Sequence, residues 1–183
     1  MTEELVEIYR TKATRRYGLT DVSQLQHALQ AAMRAKQAGE PAAMIVAALF
    51  HDVGHMTHAL GDHPARDGID DRHESRGAAV LARHFPAAVS EPVRLHVAAK
   101  RYLAAVEADY AVVLSPDSIE SLALQGGPMT PAEVEAFRRE PYWQAAVRLR
   151  RFDEAAKDAD AATPPLDHFL RYVARAADTT GPG

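Results

Sequence analysis

The stretch from Ala42 to Phe50 is apolar on every side, and it runs directly into His51 and Asp52. A helix that is hydrophobic all round is a buried helix. The chain therefore has to wrap its core around this segment, and the two polar residues at its end are drawn inside with it. A buried carboxylate without a partner is costly, and a metal ion is a common solution. An adjacent His and Asp can bind one ion through both side chains, and the second carboxylate oxygen can bridge to another. The plainer alternative is that His51 and Asp52 cap the helix end and hydrogen-bond each other. The dipeptide alone does not choose between these.

The rest of the chain limits the choice. Its 183 residues suit one domain, expected over 1–178, with the tail Thr179–Gly183 fraying. Alanine is abundant and β-branched residues are few, which predicts an all-α fold, a helical bundle of a single domain. The chain has no cysteine, so disulfides and thiolate metal sites are excluded and any metal must be held by nitrogen and oxygen. Nine histidines is a high count for this length. A net charge of −4 gives no general attraction to nucleic acid. The start, Met-Thr-Glu-Glu-Leu, does not read as a signal peptide, and the apolar run is too short to span a bilayer, so the cytoplasm is the expected compartment.

Read along the chain, helices are expected over 3–16, from Ser23 to about Gln37, and over 41–52 behind the break at Gly39-Glu40-Pro41. Met56 to Arg72 is rich in Asp, Gly and His and reads as a long loop, a length usually tied to function or disorder. Helix resumes over His73–His84. Ser90 is expected to cap another, reaching about Val106. Ser115-Pro116 starts a short helix ending at Gly126-Gly127, and Thr130-Pro131-Ala132-Glu133 is a capping box. Further helices are expected over 141–157 and 165–177.

Four more residues are candidate companions for His51-Asp52. His27 stands among Leu25, Ala28, Leu29, Ala31 and Ala32. His73 opens a helix just after the polar loop, His96 sits between Leu95 and Val97, and Asp153 follows Arg150-Arg151-Phe152. Singly, each has a bland reading: a core histidine, a surface cap, a partner for a nearby arginine. Together, four histidines and two aspartates on separate helices are a nitrogen–oxygen ligand set of the kind that binds first-row metals. His84 and His168 read as surface residues, and His58 and His63 as solvated loop residues.

The spaced series His27, His51-Asp52, His73, His96, Asp153 resembles the HD-domain mixed-valent di-iron oxygenases, a family that includes myo-inositol oxygenase and phosphonate-cleaving enzymes. The phosphonate branch, with its glycine-forming 2-amino-1-hydroxyethylphosphonate dioxygenase, is the closer likeness. It is carried by Tyr17-Gly18, the segment Val22 to Gln30, His51-Asp52-Val53-Gly54-His55, the segment His96 to Leu103, and the segment Ser121 to Met129.

The resemblance implies one iron held by His27, His51 and Asp153, another by His73 and His96, and Asp52 bridging them. It implies a Fe(II)/Fe(III) pair with dioxygen as co-substrate, and no catalytic residue beyond the metal centre. Tyr17, His55, Lys100, Ser118 and Arg150 map onto substrate-binding positions, with Ser121 an alternative to Ser118. The spacing agrees with these assignments: His51 and His55, and His96 and Lys100, are four apart and share a helix face. The expected substrate is a small 1-hydroxyphosphonate, cleaved at its C–P bond to a carboxylate and phosphate. Where the glycine-forming enzyme has an acid for the substrate amine, three residues past the tyrosine, this chain has Thr20, followed by Asp21. That departure opens the reading to hydroxymethylphosphonate or a trimethylammonium analogue. An HD-type phosphohydrolase acting on a phosphate ester or nucleotide fits the ligand order as well, and a non-catalytic metal or ligand sensor is a third class. No nucleic acid or membrane partner is expected, and the oligomeric state is left open.

Overall fold

Ser23, Ser115 and Thr130 cap the helices they precede, and the apolar face of each helix decides its place. In the computed structural model, residues 2–14, 21–57, 69 and 71–178 are described. Helix α1 spans Glu3–Thr11 and buries Leu5, Val6 and Tyr9. Helix α2, Gln24–Gln37, starts with a complete capping box: the Ser23 hydroxyl accepts from the Gln26 amide and the Gln26 side chain accepts from the Ser23 amide. Helix α3, Ala42–Phe50, is buried from Met44 to Phe50. It packs on α2 and on three later helices, so it is the central element that its apolar surface requires.

A short 3-10 turn, Val53–Met56, follows α3 and lies against α4, His73–Leu81. Gly54 permits this contact. A Cβ placed there would stand 2.0 Å from the His73 carbonyl oxygen, well inside any allowed approach. The turn carrying Asp52 and His55 is thereby pressed onto the residue that opens α4.

Helix α5, Ala87–Val106, is the longest and contains Pro92. Ser90 does not cap it, contrary to expectation. The helix begins three residues earlier behind Pro86, whose extended backbone marks the true start, and Ser90 lies buried inside it. Helix α6, Tyr110–Val113, is a single turn that the pattern of Val112-Val113 does not announce. Helices α7 (Pro116–Leu124) and α8 (Pro131–Phe137) have the caps expected from Ser115 and Thr130. Helix α9, Trp143–Glu154, packs along α5, and α10, Leu166–Asp178, covers α3 with Leu166, Phe169, Val173 and Ala176. Among the described residues the fold is all helical, with no strand. No helix is long and apolar enough to cross a membrane.

Two apolar clusters form. The larger surrounds α3 and takes residues from α1, α2, α4, the first half of α5, α9 and α10. The smaller joins the second half of α5 to α6, α7, α8 and the start of α9. Helices α5 and α9 belong to both.

Candidate metal centre

Four histidines from four helices meet inside the bundle, and each is held by its Nδ1 atom. His27 Nδ1 donates to the Ala156 carbonyl at 2.9 Å, His51 Nδ1 to the Ala48 carbonyl at 2.9 Å, and His96 Nδ1 to the Val93 carbonyl at 2.7 Å. His73 Nδ1 donates to Asp71 Oδ1 at 2.9 Å. A carbonyl or an ionised carboxylate can only accept, so the proton of each neutral ring sits on Nδ1 and Nε2 is left with a lone pair. The Nε2 atoms of His27 and His51 lie 3.1 Å apart, and those of His73 and His96 lie 3.2 Å apart. Two lone pairs at that distance repel unless a cation stands between or beside them.

Asp52 and Asp153 complete the set. His27, His51 and Asp153 form one group whose ligand atoms all fall within 4.8 Å of one another, and Asp52, His73 and His96 form a second. Asp52 faces both. Its Oδ2 lies 3.5 Å from His27 Nε2, and its Oδ1 lies 3.4 Å from His51 Nε2 and 3.9 Å from the Nε2 atoms of His73 and His96. Asp52 Oδ2 and Asp153 Oδ1 are buried without a hydrogen-bond partner among the described residues. Unmade bonds on buried carboxylates cost stability, and a metal ion removes that cost.

The electrostatics point the same way. Burial acts to lower the pKa of His51, but Asp52 and Asp153 outweigh it and lift it to about 9. The cavity demands positive charge, which a proton supplies weakly and a divalent ion supplies well. His96 is pushed down to about 3 by burial and by His73 and His51, so it is held as a neutral ligand. The six side chains thus fit a two-metal centre by donor type and convergence, and Arg150 pairs one of the carboxylates, Asp153.

Beside this centre lies a cluster of cations and hydroxyls. Lys100 is one helical turn beyond His96 on α5, and Arg150 is one turn before Asp153 on α9. Both are buried. Lys100 Nζ donates to Ser121 Oγ at 2.7 Å. Arg150 contacts Asp153 and Glu154, and donates to Ser118 Oγ at 3.0 Å and Tyr110 Oη at 2.9 Å. Burial and the Arg150 charge push Lys100 down to about 7. Lys157 Nζ reaches Ser115 Oγ at 2.8 Å and Ser118 Oγ at 3.0 Å.

The structure therefore gathers His27, His51, Asp52, His73, His96 and Asp153 into one centre and sets Lys100, Ser118 and Arg150 beside it. His55 lies at the edge, its Nε2 3.9 Å from Asp52 Oδ1. Tyr17 and Thr20 fall outside the described residues, as do His58, His63 and the tail 179–183. Ser118 and Ser121 are both used: Ser121 receives Lys100, and Ser118 receives Arg150 and Lys157. The sequence reading missed Asp71, Tyr110, Glu154 and Lys157. Glu154 and Lys157 carried a usable signal, since they continue the Arg150–Asp153 face at helical spacing. Asp71, one of two adjacent aspartates in a polar loop, carried none.

An all-helical bundle whose buried histidines and aspartates form two candidate metal-holding groups, with one carboxylate facing both, is consistent with an HD-type domain. No family model matches the chain. Curated relatives do match. The chain is 45% identical over 157 residues to the [1-hydroxy-2-(trimethylamino)ethyl]phosphonate dioxygenase (glycine-betaine-forming) of Leisingera caerulea, covering 86% of this chain and 80% of that protein. It is also 45% identical over 155 residues to the hydroxymethylphosphonate dioxygenase of Gimesia maris, covering 83% and 76%. The chain belongs to the family of these phosphonate dioxygenases.

Proposed function

We propose that the protein uses dioxygen to cleave the carbon–phosphorus bond of a small 1-hydroxyphosphonate, giving a carboxylate and phosphate. The observation that carries this reading is the adjacency of two surfaces. Two histidine pairs facing a shared Asp52 lie one helical turn from the buried cations Lys100 and Arg150. The named activities of the relatives supply the reaction class.

The ligand set suits two iron ions in a mixed-valent Fe(II)/Fe(III) state: His27, His51 and Asp153 would hold one, His73 and His96 the other, and Asp52 would serve both. Iron supplies redox chemistry and dioxygen binding, which zinc does not. The chain's own residues bind and orient the substrate. Lys100 with Ser121, and Arg150 with Ser118, offer charge-assisted hydrogen bonds to the three phosphonate oxygens. Since those cations sit on the same helices as ligands His96 and Asp153, a phosphonate seated there places its hydroxyl carbon toward the metals. The buried walls keep water from competing. The reaction balances without a reductant. The carbon gives up its C–H and C–P bonding electrons, four in all, and both dioxygen atoms end in products, one in the carboxylate and one in phosphate.

The test is to load the protein anaerobically with iron and supply hydroxymethylphosphonate or the trimethylammonium hydroxyethylphosphonate. One phosphate is expected per dioxygen consumed. Phosphate release in the absence of oxygen would overturn the reading in favour of a phosphohydrolase, which the relatives' activities do not favour.

A further inference from the structure

We propose that Asp71 is a positioning residue that aims two rings with one carboxylate: His73 at its metal and His55 at the substrate. The second half rests on the proposed function, in which His55 contacts the bound phosphonate.

The three other candidate ligand histidines are anchored to backbone carbonyls. His73 alone is anchored to a side chain. Asp71 Oδ1 accepts from His73 Nδ1 at 2.9 Å and from the His73 amide at 3.3 Å, and Asp71 Oδ2 accepts from His55 Nδ1 at 2.6 Å. The two rings held this way stack, with centroids 3.9 Å apart and planes at 20°. Both Nε2 atoms end at the same distance from one atom, 3.9 Å from Asp52 Oδ1. The carboxylate thus sets the tilt of both rings and selects the nitrogen that each presents to the centre.

The backbone is bent to make this possible. Arg72, between Asp71 and His73, has φ 50°, the one positive φ at a non-glycine residue among those described. A non-glycine residue persists in that region only where its surroundings enforce it. Here it lets Asp71 fold back over the first turn of α4. The Asp71 carbonyl accepts from Arg76 Nε at 3.0 Å, which pins the residue from its other side. Asp71 is 6% exposed, so the carboxylate is not a solvated loop charge.

A carboxylate behind a ligand histidine makes it a better donor and fixes its tautomer, and losing such a partner weakens metal binding about 10–100-fold. An amide cannot replace it. Asn presents one oxygen and one NH2, so either His73 or His55 would face a donor and have to move its own proton to Nε2. One of the two rings is then lost to its task.

The experiment compares wild type, Asp71→Asn, Asp71→Glu, His55→Ala and the double variant His55→Ala/Asp71→Asn. Cobalt(II) titration followed by visible absorption reads the metal sites without turnover, and steady-state kinetics with hydroxymethylphosphonate on iron-loaded protein reads the substrate side. Asp71→Asn is expected to bind the first cobalt equivalent as wild type does and the second at least tenfold more weakly, with KM raised several-fold. In the His55→Ala background Asp71→Asn should add nothing further to KM. Asp71→Glu, which keeps the charge but displaces it by a methylene, covers the case in which Asn does not fold, and should lie between wild type and Asn in both readouts. Wild-type cobalt binding in Asp71→Asn, wild-type behaviour of Asp71→Glu in both readouts, or additive KM effects in the double variant would overturn the proposal. If wild type itself fails to turn over the phosphonate, the proposed function falls, and the cobalt titration still decides the Asp71–His73 half.

Discussion

The Nε2 atoms of His27 and His51 stand 3.1 Å apart while the Nδ1 atoms of both rings donate to backbone carbonyls. With Nδ1 so anchored, the two Nε2 atoms are turned toward each other and toward Asp52, and a cation there satisfies all three. The same arrangement recurs at His73 and His96, and Asp52 faces both pairs. Several consequences can be measured.

Asp52→Asn should weaken both metal sites together, because the residue faces all four Nε2 atoms. Asn carries no charge, so each ion would lose an anionic ligand at once. Metal analysis after dialysis should fall from about two ions per chain to well below one. His73→Ala, by contrast, should leave close to one. Equal losses in the two variants would argue against Asp52 as the bridge.

Lys100→Met should separate binding from stability. A buried ammonium costs desolvation, so replacing it with an apolar chain of similar length should leave Tm unchanged or raise it. The KM for a hydroxyphosphonate should rise about tenfold or more, since a charge-assisted hydrogen bond contributes roughly 1.5–3 kcal/mol. Unchanged KM would remove Lys100 from the anion site.

The pH dependence follows from the same residue. Lys100 is pushed down to about 7 by burial and by Arg150. Its positive charge is present below that value and lost above it. Phosphate affinity of the wild type, relative to Lys100→Met, should therefore decline as pH rises from 6 to 8. Stability runs the other way. Between about 7 and the ordinary lysine value the unfolded chain binds the extra proton, so raising pH in that window stabilises the wild type relative to Lys100→Met. Chemical denaturation of both proteins at pH 7 and pH 9 checks the sign.

Gly54→Ala should damage fold and site together. The new methyl would meet the His73 carbonyl at 2.0 Å, so either the turn or the start of α4 must move. A loss of about 3 kcal/mol or more is expected, at the severe end for one methyl, with metal content falling as His55 and His73 part. Gly77→Ala, whose Cβ would lie 3.3 Å from the Gly54 amide nitrogen, should cost less.

Arg150 should be less replaceable than Lys100. It is buried against Asp153, Glu154, Ser118 and Tyr110, and Arg150→Met would leave buried Asp153 without its cation and Glu154 with Lys157 alone. Breaking one side of such a pair costs about 3–5 kcal/mol. A drop in Tm larger than that of any other anion-site variant is the expected result.

Much of this was legible in the chain itself, and for a local reason. The all-round apolar character of Ala42 to Phe50 required a buried central helix, and helical spacing then put His96 with Lys100, and Arg150 with Asp153, on shared faces. Caps at Ser23, Ser115 and Thr130 are local hydrogen bonds, and local sequence specifies them. Ser90 misled because an equally good local cap signal lost to Pro86, where the extended backbone already ended the preceding turn. What only the tertiary structure decided is which distant groups meet. Ser121 rather than Ser118 receives Lys100, Glu154 and Lys157 enter the cation cluster, and Asp71 turns from a loop acid into the carboxylate shared by His55 and His73. Those pairings depend on how α4, α5, α7 and α9 converge and on the close approach that Gly54 allows. The candidate ligands of the His51-Asp52 centre stand out in the sequence as histidines and aspartates on separate helices whose spaced order resembles a known family, whereas the aim of the rings follows only from contacts between helices.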